Sequence, residues 1–222
     1  MGRPKEHDEQ TRDRLRAAAE RLVAEGGPDA LSVRAVADKA GTTTRAVYSL
    51  FGSKDGLVAA IAQIAFELLY DGIDQLPETD DPAADLVAIG TEVFRGLARE
   101  HPALFRIAFQ RIAGLQPEPH LVEARERAWV QLQGRVQRLQ DVGLLGRKSV
   151  PDAARELNAM WEGLANAELR GEVLRIIPRG EEERAWRDAL STVLRGFNAT
   201  GPQHKPPDPS SPRKRSRRSH HA

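Results

Sequence analysis

Side chains suited to contact nucleic acid are concentrated in residues 32–54, which read SVRAVADKAGTTTRAVYSLFGSK. Three threonines at 42–44 are followed at once by Arg45, Tyr48 comes three residues later, and Lys54 closes the stretch. A guanidinium can bond guanine O6 and N7 together, and a threonine can contact the methyl group of thymine. Hydroxyl and ammonium groups can hold phosphates. These residues predict contact with duplex DNA if the fold projects them outward.

Two short helices predicted in the same stretch would project them. Ser32 is an N-cap residue before apolar residues at helical spacing, Gly41 ends that helix, and the threonines offer the N-cap of a second helix. The turn between the two has about three residues, which is the spacing of a helix-turn-helix. The second helix of such a unit must protrude from a small core, so that its first residues reach base edges in the major groove.

Helical periodicity extends over almost the whole chain. A first helix carries apolar residues at positions 15, 18, 19, 22 and 23, and Ser53 can cap a longer fourth helix. Breaks containing proline or glycine separate five further predicted helices, at about 83–99, 102–114, 118–142, 151–170 and 181–198. No segment alternates as a strand does, and only the short apolar run 173–177 is ambiguous. We therefore predict an all-α fold of about nine helices.

From Thr11 to Ile61 the sequence resembles the TetR (tetracycline repressor) family of bacterial transcriptional regulators. The matching residues are Ser32-Val33-Arg34, Val36-Ala37, Ala40-Gly41, Tyr48, Phe51, Ser53-Lys54 and Leu57. Their combined order and spacing make the resemblance more specific than a bare helix-turn-helix pattern. It implies an N-terminal three-helix DNA-binding domain and a C-terminal helical domain for ligand binding and dimerisation.

The resemblance also implies which residues contact DNA. Arg34 is similar to an arginine that reaches guanine in some members. The positions that match base-reading residues are Thr43, Thr44 and Arg45, and those that match phosphate-holding residues are Ser32, Tyr48 and Lys54. Two simpler interpretations stay open from the sequence. Tyr48 could pack against the first helix, and Arg34 could be a solvated surface charge.

After residue 61 the resemblance is looser and implies a variable domain that binds a small-molecule effector. A pocket in a helical bundle is lined mostly by large apolar groups with a few polar ones. The candidates are Phe94, Phe105, Phe109, Trp129, Met160, Trp161 and Glu162. Glu92 and Asn166 are further polar candidates if they face inward. The alternative for each apolar residue is ordinary core packing.

The last two helices are the expected dimer contact, because family members dimerise there. A two-fold dimer would double the length of DNA that one short recognition helix can read. Apolar residues at helical spacing supply a candidate face on each helix: Leu157, Met160, Trp161 and Leu164 on one, and Trp186, Leu190, Val193, Leu194 and Phe197 on the other. Burial within one protomer is the alternative for each of them.

Composition sets the remaining limits. The 222 residues contain no cysteine, which excludes disulfides and thiol chemistry, and no metal or other cofactor is expected. No uninterrupted apolar run approaches 18 residues and no secretory signal begins the chain, so we expect a cytoplasmic protein without a membrane span.

We divide the chain into a DNA-binding domain at 1–55, an effector-binding and dimerisation domain at 56–199, and a disordered, basic, Pro-rich tail at 200–222. That tail holds six Lys and Arg against one Asp.

The sequence thus predicts a sequence-specific DNA-binding regulator, a homodimeric repressor released by a small-molecule effector of unknown identity. The chain has no His-Glu-x-x-His, Gly-x-Ser-x-Gly or P-loop pattern, and no Glu-x-x-His pair of the di-iron type, so we do not expect an enzyme. The alternative is a helical protein that binds a small molecule or a partner and carries a degenerate DNA-binding module.

Overall fold

The computed structural model describes residues 5–111, 118–171 and 177–198, and all of their regular structure is helical. The α-helices are α1 (Lys5–Gly26), α2 (Val33–Lys39), α3 (Thr44–Phe51), α4 (Lys54–Gln75), α5 (Pro82–Ala88), α6 (Arg95–Glu100), α7 (Pro102–Arg106), α8 (Pro119–Asp141), α9 (Val150–Leu169) and α10 (Glu182–Asn198). A short 3-10 turn, Pro28–Ala30, follows α1.

Two of these helices continue without a break into π-helical geometry. A π-helical stretch at Ile89–Phe94 joins α5 to α6, and a second at Ile107–Arg111 extends α7. Counted with these stretches as single runs, the described residues form nine helices, which confirms the all-α prediction. The predicted tail at 200–222 and most of the ambiguous run at 173–177 lie outside the described residues.

Helices α1 to α3 form a small core with α2 and α3 on its outer side. The stripe Leu15, Ala18, Ala19 and Val23 of α1 is completely buried, and Val47 of α3 is buried with it. Between α2 and α3 the chain reverses at Gly41, whose positive φ of 63° is a conformation that side chains with a Cβ rarely adopt. Turn and core together fix how far α3 projects.

Helix α4 begins two residues after the end of α3, beyond Gly52 and Ser53, and runs through the body of the protein. By length and composition alone it is apolar enough to cross a membrane. Most of its apolar residues are, however, part of the protein core, where α4 packs against α8 above all. The domain boundary that we predict at residue 55 falls in the first turn of α4.

Two arginines of α8 hold the end of α4 in place. Arg135 is buried and donates to the carbonyl oxygens of Ile73 and Leu76, each at 2.6 Å, which are left without partners where the helix ends. Arg138 forms an ion pair with buried Asp85 of α5. The wall formed by α4 and α8 is therefore fixed at this end.

Helices α9 and α10 close the body on the other side. Glu168 of α9 accepts two hydrogen bonds from Arg95, at 2.8 and 2.9 Å, and one from Trp186 Nε1 at 2.9 Å. Most of the residues predicted for a dimer contact are instead buried inside one protomer: Leu157, Trp161, Trp186, Leu190, Leu194 and Phe197. These six residues belong to the core of a single protomer, which is the alternative to a dimer contact that the sequence left open.

Gly90, in the first π-helical stretch, lies against one side chain of α9 and one of α10. A Cβ at this position would lie 2.5 Å from Trp161 Nε1 and 2.5 Å from Leu190 Cδ1. Neither group can retreat easily, since both side chains are buried. The absence of a side chain at residue 90 is therefore a packing requirement.

We expect Gly90→Ala to lower the free energy of unfolding by about 1–3 kcal/mol, the usual cost of overpacking. Gly96→Ala is the matched control, because a Cβ on helical Gly96 meets nothing within 4 Å. That change should be neutral or stabilising by up to about 1 kcal/mol, since alanine is the better helix former. Urea denaturation of both variants tests the packing, and an equal response from the two would contradict it.

Candidate nucleic-acid interface and ligand cavity

Helix α3 presents one face to solvent and the opposite face to the core. Val47 and Phe51 are buried, whereas Thr44, Arg45 and Tyr48 are exposed, with Tyr48 at 52% of its full accessibility. The structure thus places Tyr48 outward and does not pack it against α1. An outward face of this kind, at the start of a protruding helix, is what contact with base edges requires.

The predicted hydroxyl groups at 32 and 43 are helix caps. Ser32 Oγ accepts from the backbone N–H of Ala35 at 3.1 Å, and Thr43 Oγ1 accepts from that of Ala46 at 3.2 Å. A capping hydroxyl still has its own proton to donate, so each can also bond a phosphate oxygen. The two groups therefore both fix the helices and stay available at the helix N-termini, where anions are favoured.

The predicted cations also lie on the surface. Arg34 stands in the first turn of α2 with 88% of its side chain exposed, 3.9 Å from Asp38, an ion pair too exposed to hold it. Lys54 is exposed at the first residue of α4, directly after the cap residue Ser53. All seven predicted DNA-contacting residues thus lie at the surface of the helix-turn-helix or at the first turn after it.

The sequence reasoning did not single out two further residues near this surface. Ser49 is exposed on α3 one turn after Arg45, and the i, i+4 spacing would have indicated it. Arg12 of α1 lies over the ring of Phe51, 5.5 Å from its centroid. No local pattern predicts that contact, because the two residues come together only in the folded module.

A cavity of about 690 Å³ lies in the body. Helix α4 contributes Phe66, Leu69 and Ile73 to its wall. The two π-helical stretches contribute two residues each, Ile89 with Phe94 and Ala108 with Phe109. Departures from α-helical geometry are frequent at functional sites, and here both of them adjoin the same space.

Five of the seven predicted pocket residues line this cavity: Phe94, Phe109, Trp129, Trp161 and Glu162. Phe105 does not line it; it is fully buried behind Phe109, with the two rings stacked at 4.7 Å. Met160 also lies outside the lining, on a partly exposed part of α9. Of the two further polar candidates, Glu92 is exposed, and Asn166 accepts from Gln110 at 2.7 Å outside the cavity.

The cavity also has polar lining residues that the sequence reasoning missed. Asn158 lies one turn before Glu162 on α9, and α8 adds Arg125 and Glu126, both exposed. Burial raises the pKa of the Glu162 carboxyl above its ordinary value, since it takes water away from the charged form. No cation among the described residues pairs with this carboxyl. Among the same residues, no group of three or more histidine or acidic side chains is placed to hold a metal ion.

Family models match two parts of the chain, the helix-turn-helix with its flanks and most of the body. Residues 15–61 match the model of bacterial regulatory proteins of the tetR family, and residues 86–193 match that of a tetracyclin repressor-like C-terminal domain. No curated relative matches the chain.

Solved structures resemble the whole described fold. A TetR family transcriptional regulator, PfmR from Thermus thermophilus, is 25% identical, with 82% of this chain and 98% of that chain covered and a TM-score of 0.62. A transcriptional regulator from Rhodococcus sp. RHA1 is 26% identical, with 86% and 99% covered and a TM-score of 0.64. A protein of unknown function from the same Rhodococcus strain is 23% identical, with 85% and 96% covered and a TM-score of 0.72.

The raised pKa of Glu162 predicts a pH-dependent cost to stability. The folded protein holds this proton more tightly than the unfolded chain, so ionisation destabilises the fold as the pH rises from the ordinary value of 4.5 through the folded-state pKa. We expect Glu162→Gln to raise the Tm at pH 7.5, and this advantage to shrink steadily as the pH is lowered toward 5.

Thermal unfolding monitored by circular dichroism at several pH values measures this difference. Glu123→Gln is the control, because Glu123 is exposed on α8 outside the cavity. An advantage of Glu162→Gln that does not change with pH, or one that Glu123→Gln shares, would count against the burial of the carboxylate as its cause.

Proposed function

Because this chain belongs to the TetR family of bacterial regulatory proteins and is a DNA-binding transcriptional regulator, we propose that it acts as a dimeric repressor released by a small molecule. The observation that carries the DNA-binding half is the outward face of α3, with Thr44, Arg45 and Tyr48 exposed. The cavity of about 690 Å³ is the proposed effector site.

We assign base contacts to Thr43, Thr44 and Arg45 and, from the start of α2, to Arg34. Phosphate contacts fall to Ser32, Tyr48 and Lys54. This division follows position: the first residues of a recognition helix enter the groove, whereas groups at its flanks meet the backbones on either side. The exposure of the three cations supports it, since none is held by a buried partner.

The dimer surface that we propose consists of the outer sides of α9 and α10. Small and apolar residues are exposed or partly exposed there: Ala159, Met160, Gly163, Leu164 and Ala167 on α9, and Ala185, Ala189, Val193 and Gly196 on α10. A Cβ at Gly163 or Gly196 would meet nothing within 4 Å, so there is room for the helices of a second copy. Small residues let packed helices approach closely, and a four-helix interface would bury this face.

Release would follow from a shift between two arrangements of the same dimer. Both recognition helices must meet successive major grooves about 34 Å apart, so a modest change in their separation weakens binding to both half-sites. An effector that binds more tightly to the arrangement that does not fit DNA favours that arrangement and so lowers the affinity for DNA. The size of the decrease is set by the ratio of the effector's affinities for the two arrangements.

The proposed site of action is the bacterial cytoplasm, where the DNA is, and we assign the protein no catalytic reaction. The alternative is a small-molecule or partner-binding protein with a degenerate DNA-binding module. The intact set of caps and outward cations supports the regulator, since a degenerate module has no need to retain them.

Selection of bound DNA from a random pool, followed by gel shifts at several salt concentrations, tests the proposal. We expect Lys54→Ala to weaken binding to all sequences and to lower the slope of log K against log salt by about one for each phosphate that the variant no longer neutralises. Arg45→Ala should instead cost about 1–3 kcal/mol on the selected site and relax its sequence preference.

Arg147→Ala is the matched control. Arg147 is exposed in the α8–α9 connection, and it follows the end of α8 that lies beside the far end of α4. It should leave affinity and salt slope unchanged. If wild-type protein selects no sequence, or if all three variants behave alike, the assignment of the DNA surface is wrong.

Leu164→Asp should separate the proposed dimer. A carboxylate on α9 would be buried twice in a two-fold interface without a partner, which costs several kcal/mol. Light scattering after size exclusion should then give a monomer that no longer binds the operator tightly. Val130→Asp, which replaces an exposed valine of α8, should leave the dimer intact. A dimeric Leu164→Asp variant would refute this surface.

A further inference from the structure

The cavity wall is unusually rich in aromatic rings that contact one another. Phe94 lies with its ring centroid 5.2 Å from that of Phe109 and 5.8 Å from that of Trp161, and Phe66 lies 5.6 Å from Phe109. Trp129 adds a further ring from α8. The faces of such rings carry partial negative charge, and they attract organic cations that are out of reach of water.

Helix α9 contributes two polar side chains to the same cavity, Asn158 and Glu162. Asn158 and Glu162 are spaced i, i+4, which puts both on one face of the helix. Glu162 forms neither a hydrogen bond nor an ion pair with any described residue, although it is partly buried. The Asn158 amide has no partner there either. A carboxylate in this position lacks the counter-charge that a structural one normally has.

The charges on the lining residues do not balance. Glu126 and Glu162 are acidic and Arg125 is basic, so the ionised lining carries one net negative charge. Arg125 is exposed, with its guanidinium 5.9 Å from the centroid of Phe66, and water screens both it and its neighbour Glu126. The charge that a bound molecule would feel most strongly is therefore the half-buried carboxylate of Glu162.

We propose that the cavity binds a lipophilic organic cation, whose positive centre lies beside Glu162 and whose apolar groups contact the rings of Phe66, Phe94, Phe109, Trp129 and Trp161. This inference rests on the proposed role of the cavity as the effector site and names the chemical class of that effector. A volume of about 690 Å³ accommodates a molecule of drug size. An anionic ligand would have to leave Glu162 uncompensated or protonated.

Two ions of nearly the same size and shape but opposite charge test the proposal directly. Tetraphenylphosphonium and tetraphenylborate are titrated separately into the full chain by isothermal calorimetry at pH 7.5. We expect the phosphonium to bind at least about tenfold more tightly than the borate, because shape and apolar area are matched and only the sign of the charge differs. Failure of the phosphonium to bind, or equal or tighter binding of the borate, would overturn the proposal.

Substitution of Glu162 then tests whether its carboxylate is the group that attracts the cation. Glu162→Gln should weaken phosphonium binding at least about fivefold and strengthen borate binding, while Glu123→Gln, outside the cavity, leaves both unchanged. The phosphonium does not titrate, so its affinity for wild-type protein should fall as the pH is lowered toward 4.5. Its affinity for Glu162→Gln should fall much less, since only the exposed Glu126 is left as an acidic lining residue. Equal phosphonium affinity in wild type and Glu162→Gln would refute the assignment to Glu162.

These titrations contain no DNA, so their outcome is independent of the operator experiments. A chain that selects an operator but prefers the borate is a regulator with an effector of another class. A chain that binds the phosphonium through Glu162 but selects no operator binds the cation without the proposed regulation. Failure of this inference is thus distinguishable from failure of the proposed function.

Discussion

The burial of helix α4 is the constraint on which the rest of the structure depends. Leu57 and Val58 near its start are buried in the core, and Phe66, twelve residues after the first residue Lys54, is part of the cavity wall. At 1.5 Å per residue the two points are about 18 Å apart on one continuous helix. Because Arg135 holds the far end of α4 through two backbone carbonyls, the helix cannot adjust to the cavity there. Any movement of the cavity wall on ligand binding must therefore involve the end of α4 that carries Lys54, or the helices on the opposite side of the cavity.

The cavity itself is not what packing alone would produce. Interiors are normally close-packed, and aromatic rings that face an open space of this size make fewer dispersion contacts on that side. The two π-helical stretches each insert a residue into a helix beside this space, and Gly90 in the first lets Trp161 and Leu190 approach its backbone. Glu162 and Asn158, which have no polar partner among the described residues, add a further cost. A ligand that fills the cavity and bonds to Glu162 and Asn158 would restore part of the stabilising free energy that the missing contacts cost the fold.

Much of this was predictable from local patterns. Caps, glycine turns and apolar spacing predicted the helix-turn-helix and nearly all the helices, because these signals act within a few residues of each other. The π-helical stretches were not predictable, since no residue type marks them.

In α4, helical spacing puts Leu68 on the apolar face, yet Leu68 is exposed and Phe66 is buried, because α8 rather than periodicity decides which side is covered. For the cavity, the large aromatic residues could be identified but not separated into wall and core: Phe105 and Phe109 are four residues apart, and only the second lines the space.

Two connections link the cavity to the proposed DNA surface, and they meet in the same small core. One is α4, from Phe66 to Lys54. The other starts at Phe109 and runs back along α7 to His101, whose Nδ1 lies 3.3 Å from Oε1 of Glu20 on α1. Helices α1 and α4 both pack against α3. A ligand that separates Phe66 from Phe109, whose rings are now 5.6 Å apart, would therefore shift α4 and α1 relative to each other. The position of α3 is set by both helices, so α3 would respond to cavity occupancy without any contact between the ligand and the residues that we propose to bind DNA.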